Sequence, residues 1–134
     1  MNLIVCVDDR NGMMFNGRRQ SRDRYLREYL LKLSGGKLWM NASSAGQFEK
    51  KDGLMIREDF LSTAPKGEFC FLEDQSCLAF EGRMEQIILC KWNRTYPSDW
   101  KFDIPLDEHG WHCVSAVEFP GFSHEKITVE VYKR

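Results

Sequence analysis

The apolar positions of this chain gather in short dense runs, and the spacing within each run predicts an element. Residues 2–7 (NLIVCV) are almost continuously apolar, the pattern of a central strand covered on both faces. Asp8-Asp9-Arg10-Asn11-Gly12 follows as a turn. Met13-Met14-Phe15 is then a short apolar stretch, and a second Asn-Gly pair, Asn16-Gly17, folds the loop back on itself. A helix comes next. Ser21 suits its N-cap and Asp23 the positive end of its dipole, while Tyr25, Leu26, Tyr29, Leu30 and Leu33 recur on one face. Ser34-Gly35-Gly36 ends it.

Lys37 to Met40 reads as a second buried strand, with Ser43 or Ser44 capping a short helix through Phe48. Leu54-Met55-Ile56, a short helix from Asp59 to Thr63 and a strand from Glu68 to Leu72 follow. Met84 to Trp92 is the longest strongly apolar strand candidate. Two more strands are expected at Trp111 to Val117 and Lys126 to Tyr132, the last with the period-2 alternation Ile127, Val129, Val131. Strands separated by helices, then strands without them, indicate an α/β fold with a mostly parallel central sheet and antiparallel C-terminal strands. No repeat, linker or low-complexity tract divides residues 1–134, so one domain is expected.

Composition narrows the class. The chain has 134 residues and is 43% hydrophobic, with nine Phe, four Tyr and four Trp, enough apolar surface to close a core rather than stay disordered. No apolar run reaches the roughly 18–20 residues that span a bilayer, and Met1 to Val7 has no basic leader, which argues against a signal peptide. The five cysteines, Cys6, Cys70, Cys77, Cys90 and Cys113, include no CxxC pair, and three lie inside strand-like runs. Free cysteines of this kind suit the cytoplasm, and no cysteine or histidine spacing matches a metal site. His109, His112 and His124 fall in turns or near strand ends and read as surface residues. No GxSxG, P-loop or HExxH pattern occurs.

Net charge is −1, so the whole molecule has no bias toward nucleic acid or membrane. Residues 10–32, however, hold seven basic side chains against Asp23 and Glu28, a local balance of +5. Arg18, Arg19 and Arg22 could make bidentate contacts to phosphate or carboxylate. With Trp92, Arg94 and Tyr96 they could form a basic, aromatic-lined mouth of the sort that stacks nucleotides or single-stranded RNA.

Three stretches together resemble dihydrofolate reductase: the opening MNLIVCVDDRNGMMFNG with its following helix, then KLWMNASSAGQF, and then IILCKWNRTYPSDWKFDIP leading to the closing strands HGWHCVSAVEF and HEKITVEVYKR. The resemblance implies the three-layer dihydrofolate reductase-like fold and is weakest in the middle of the chain. It implies that Asp23 matches the family's substrate-protonating carboxylate, and that Cys90 stands where the family has a Thr bonded to that carboxylate. A ligand cleft is expected between the Met13–Arg24 loop and the C-terminal ends of the strands, where open α/β sheets usually bind, with Met14, Asn16, Arg18, Arg19, Arg22, Leu26, Ser44 and Trp92 as its candidate lining.

The cofactor half departs from the family. Gly-Arg-x-Thr after the second strand is replaced by Asn41-Ala42-Ser43-Ser44, so the Arg that pairs with the 2′-phosphate of NADPH is missing. The later Gly-Gly is replaced by Glu73-Asp74, which would repel a diphosphate and obstruct close backbone approach. The expectation is a divergent member that lacks NADPH-dependent reduction, holds no cofactor and binds a small anionic or nucleotide-like ligand. The alternatives are an atypical pterin reductase that does use NADPH, and an RNA-associated or protein-interaction module built on the 10–32 segment.

Overall fold

In the computed structural model, which describes all of residues 1–134, the apolar runs become the middle of one seven-stranded sheet. β1 (Asn2–Val7) lies between β6 (Phe69–Leu72) and β7 (Gln86–Lys91), parallel to both. Beyond β6 come β4 (Leu38–Met40) and β5 (Leu54–Ile56), again parallel. On the other side β10 (Ile127–Lys133) runs antiparallel to β7, and β9 (His112–Phe119) forms the edge. The order is β5-β4-β6-β1-β7-β10-β9.

Because side chains alternate across a strand, the sheet divides the core into two clusters. Leu3, Val5, Val7, Leu72, Ile87 and Leu89 face one side, where α3 (Phe60–Thr63) contributes Phe60 and Leu61. Ile4, Phe71, Ile88, Cys90, Ile127 and Val129 face the other, against Leu26 and Leu30 of α1 (Arg24–Leu33). Burying each of those two leucines stabilises the α1 layer by about 1.5–3 kcal/mol. Two apolar faces on one sheet, each covered, make the three-layer arrangement.

Both short-helix caps differ from the expectation. Asp23, not Ser21, is the N-cap of α1: its backbone is extended (φ −148°, ψ 129°) and its carboxylate accepts from the Tyr25 and Leu26 amides. Asn41, not Ser43 or Ser44, caps α2 (Ala42–Ala45), which ends before Phe48. In each case the extended residue that ends the preceding segment already has a side-chain acceptor, so the hydroxyls further on are not needed.

The folded-back loop builds a second sheet. Asn16 and Gly17 take left-handed φ of 51° and 70°, the geometry of a two-residue hairpin turn. They join β2 (Gly12–Phe15) to β3 (Arg18–Arg19), and β8 (Trp100–Lys101) pairs with β2 on its other edge. Asp8 holds the base of this loop: its buried carboxylate accepts from the Arg10, Gly12 and Tyr96 amides and from Gln20 Nε2. The hairpin thereby stands over the C-terminal ends of β1, β4 and β6.

Candidate functional site

A cleft of about 730 Å³ opens beside this hairpin, lined by Met14, Gly17, Arg18, Arg19, Ser21 and Arg22 on one wall and by Ser43, Glu73 and Asp74 on the other. The second wall follows directly from the ends of β4 and β6, where open α/β sheets present ligand sites.

Both carboxylates on that wall are already satisfied. Glu73, which is buried, accepts from Ser44 Oγ at 2.8 Å, from Gln47 Nε2 at 3.1 Å and from Arg19 Nε at 3.1 Å. Asp74 accepts from Asn41 Nδ2 at 2.9 Å. Arg19 is further held by the Ser43 carbonyl. Arg18 and Arg22 make no ion pair and are exposed, and Arg22 also reaches a neighbouring groove with Arg24 and Arg27. Burial lowers the Arg27 pKa, and the adjacent Arg22 and Arg24 lower it further against the opposing pull of Glu49 and Asp23.

The cap residue of α1 has a second role. Oδ1 of Asp23 accepts from the Tyr25, Leu26 and Phe122 amides, and Oδ2 from the Ser123 amide and from His124 Nδ1 at 2.8 Å. Burial pushes this carboxyl up, but the bonds from His124, Ser123, Phe122 and Leu26 outweigh that and hold it well below the usual carboxylate range. An ionised carboxylate only accepts, so Nδ1 of His124 carries a proton. In the neutral ring Nε2 is then an acceptor, and it lies 2.8 Å from Ser21 Oγ and 3.2 Å from the Tyr96 hydroxyl. Trp92 stacks on the same ring, with centroids 4.5 Å apart and planes at 22°.

His124 is 6% exposed, so its reading as a surface residue is corrected. His109 and His112 are exposed, His109 bonding to Glu81 at 2.8 Å. Of the residues expected at the cleft, Met14, Arg18, Arg19 and Arg22 are brought together there. Asn16 sits in the exposed hairpin turn, where its amide donates to Asp99. Leu26 and Cys90 are core residues of the α1 layer and do not line the cleft. Ser44 is buried with its hydroxyl given to Glu73, and its neighbour Ser43 reaches the cleft instead.

Trp92 is buried and borders a different cleft, of about 1020 Å³, with Asn93, Arg94, Glu118 and Lys126. The expected mouth combining it with the arginine segment is therefore not formed. His124 covers the indole face that would stack a base.

Three of the thiols are held in their protonated form. Cys70 is pushed up to about 12 by burial, and burial with a nearby Asp103 carboxylate raises Cys77 as well. The half-buried Cys6 thiol is also raised, by its hydrogen bond to Cys90 and by desolvation. No disulfide forms. No group of three or more His, Cys, Asp or Glu side chains is placed to hold a metal ion, and no helix is long and apolar enough to cross a membrane.

A seven-stranded mixed sheet in this order, with a hairpin over its carboxyl end and α1 on one face, defines the dihydrofolate reductase-like fold, and the chain has it. A dihydrofolate reductase from Enterococcus faecalis, complexed with NADP(H) and RAB-propyl, superimposes with a TM-score of 0.67 over 99% of this chain and 95% of that one. Identity between the two is 13%. The structural likeness thus runs through the middle of the chain, where the sequence resemblance is weakest. No family model matches the sequence, and no curated protein matches it.

Proposed function

We propose that this chain is a divergent protein of dihydrofolate reductase-like fold that binds a small anionic, nucleotide-like ligand and does not carry out NADPH-dependent reduction. The observation that carries this reading is the charge balance of the cleft. Glu73 and Asp74 are engaged by Arg19, Ser44, Gln47 and Asn41, whereas Arg18 and Arg22 face the same space without a carboxylate partner. Two unpaired guanidiniums on one wall favour a phosphate or carboxylate.

The cofactor argument points the same way. Glu73 and Asp74 put two negative side chains at the end of β6, and Ala42 opens α2 without a charge. A diphosphate laid against the end of β6 meets those two carboxylates, and the Ala42 amide, already given to Glu58, stands where a side-chain cation would be needed for a further phosphate.

Calorimetric titration with inorganic phosphate and with adenosine monophosphate tests the reading. Binding that weakens with salt, and that falls about 10- to 100-fold for each of Arg18→Ala and Arg22→Ala, is expected, since a charge-assisted hydrogen bond contributes about 1.5–3 kcal/mol. No binding at millimolar ligand, or binding indifferent to both substitutions, overturns it.

A further inference from the structure

Ser21, which lines the cleft, joins a chain of contacts that anion binding does not require. Ser21 Oγ is 2.8 Å from His124 Nε2, and His124 Nδ1 is 2.8 Å from Asp23 Oδ2. The ring between them is held in plane by Trp92. Asp23 is buried and its other acceptor positions are filled by backbone amides, which keeps the ionised oxygen aimed at Nδ1. Ser21 is partly exposed and lines the cleft.

We propose that Ser21, His124 and Asp23 form a nucleophile, base and orienting carboxylate, and that the cleft hydrolyses small esters or thioesters carrying an anionic group. The arrangement meets the geometric requirement for such a unit: nucleophile and base within hydrogen-bond reach, and the base oriented by a third group. Ser21 and His124 touch the reacting atoms, and Asp23 is a positioning residue that fixes the tautomer. The Tyr96 hydroxyl, at 3.2 Å, is the longer of the two contacts to Nε2, so Ser21, at 2.8 Å, is the favoured donor to that nitrogen's single lone pair.

The chemistry closes on itself. Ser21 Oγ adds to the acyl carbon as its proton passes to Nε2. The bond to the leaving alcohol or thiol breaks, and the Nε2 proton goes to that group. Water then gives a proton to Nε2 and adds to the acyl-serine. Collapse returns that proton to Ser21 and releases the carboxylic acid, which gives its own proton to solvent. The only co-reactant is water. The substrate class rests on the anionic-ligand reading, because Arg18 and Arg22 share the cleft with Ser21. The nucleophile does not depend on it.

The test separates the two. The folded protein is treated with the neutral probe diisopropyl fluorophosphate and followed by intact mass and peptide mapping. One adduct per chain is expected, on Ser21, absent in Ser21→Ala and retained in Ser115→Ala, which alters an exposed serine of β9.

His124→Gln should slow labelling by several orders of magnitude, since removing the base of such a unit costs up to about 10⁶-fold in turnover. Should that variant not fold, the mapped site and the Ser21→Ala result still decide. Asp23→Asn should slow labelling of the protein that remains folded, a change that a purely structural role would not produce.

Hydrolysis of 4-nitrophenyl acetate is then compared with that of the 4-nitrophenyl monoester of succinate. A preference for the succinate ester of about 10-fold or more, lost in Arg22→Ala, supports the substrate class. No preference overturns the substrate class and leaves the nucleophile standing. No adduct on Ser21 in folded protein, or labelling unaffected by His124→Gln, overturns the nucleophile.

Discussion

Replacing Asp23 by Asn changes one oxygen and tests the most connected side chain of the region. If Oδ1 keeps the Tyr25, Leu26 and Phe122 amides, the new amide group takes the place of Oδ2. There it presents N–H to the Ser123 amide at 2.9 Å and to His124 Nδ1 at 2.8 Å, so donors face donors. Two charge-assisted bonds are lost at about 1.5–3 kcal/mol each, and buried donors are left unsatisfied. Allowing for relaxation of the 121–124 turn, closed by Gly121 N–H donating to the His124 carbonyl at 2.9 Å, a destabilisation of about 3–4 kcal/mol follows.

Urea denaturation followed by tryptophan fluorescence measures it directly. The pH dependence supplies the sign. Asp23 has its folded pKa depressed below the unfolded value of about 3.9, so its stabilisation is fully present above that value and is lost as pH falls toward the folded pKa. The gap between wild type and Asp23→Asn should be constant from about pH 5 upward and shrink below about pH 4. A difference under about 1 kcal/mol at neutral pH, or a gap that widens on acidification, refutes the reasoning.

Gly53→Ala should be among the most damaging single changes. Its φ is +82°, and an added Cβ would lie 1.8 Å from the Gly36 carbonyl oxygen, which is backbone and cannot swing aside. The left-handed cost of about 1–2 kcal/mol is the smaller part, and a loss above about 3 kcal/mol or insoluble protein is expected in a thermal melt. Dihydrofolate should not be reduced with millimolar NADPH, because hydride transfer needs the nicotinamide placed by remote phosphate contacts, and Ala42, Glu73 and Asp74 do not supply them. Turnover followed by nicotinamide absorbance and abolished by Asp23→Asn would contradict this.

The central sheet was legible because its signals are local. A run such as residues 2–7 is buried on both faces whatever surrounds it, and the alternation of Ile127, Val129 and Val131 marks a strand from its own pattern. Leu26 and Leu30 likewise declare the buried face of α1, and the glycines at 35 and 36 its end. The arginines of the cleft were legible as an excess of one charge. The site itself was not. His124 and Asp23 are 101 residues apart in the chain, and His124 and Ser21 are 103 apart. In the sequence Ser21 is an ordinary cap and His124 an ordinary turn residue. Their meaning arises only when β10 pairs with β7 and carries the 121–124 turn to the start of α1. Strand pairing and the choice between rival caps depend on which distant acceptors a buried donor can reach. That is a property of the closed fold, because a hydrogen bond between remote residues leaves no periodicity in either neighbourhood.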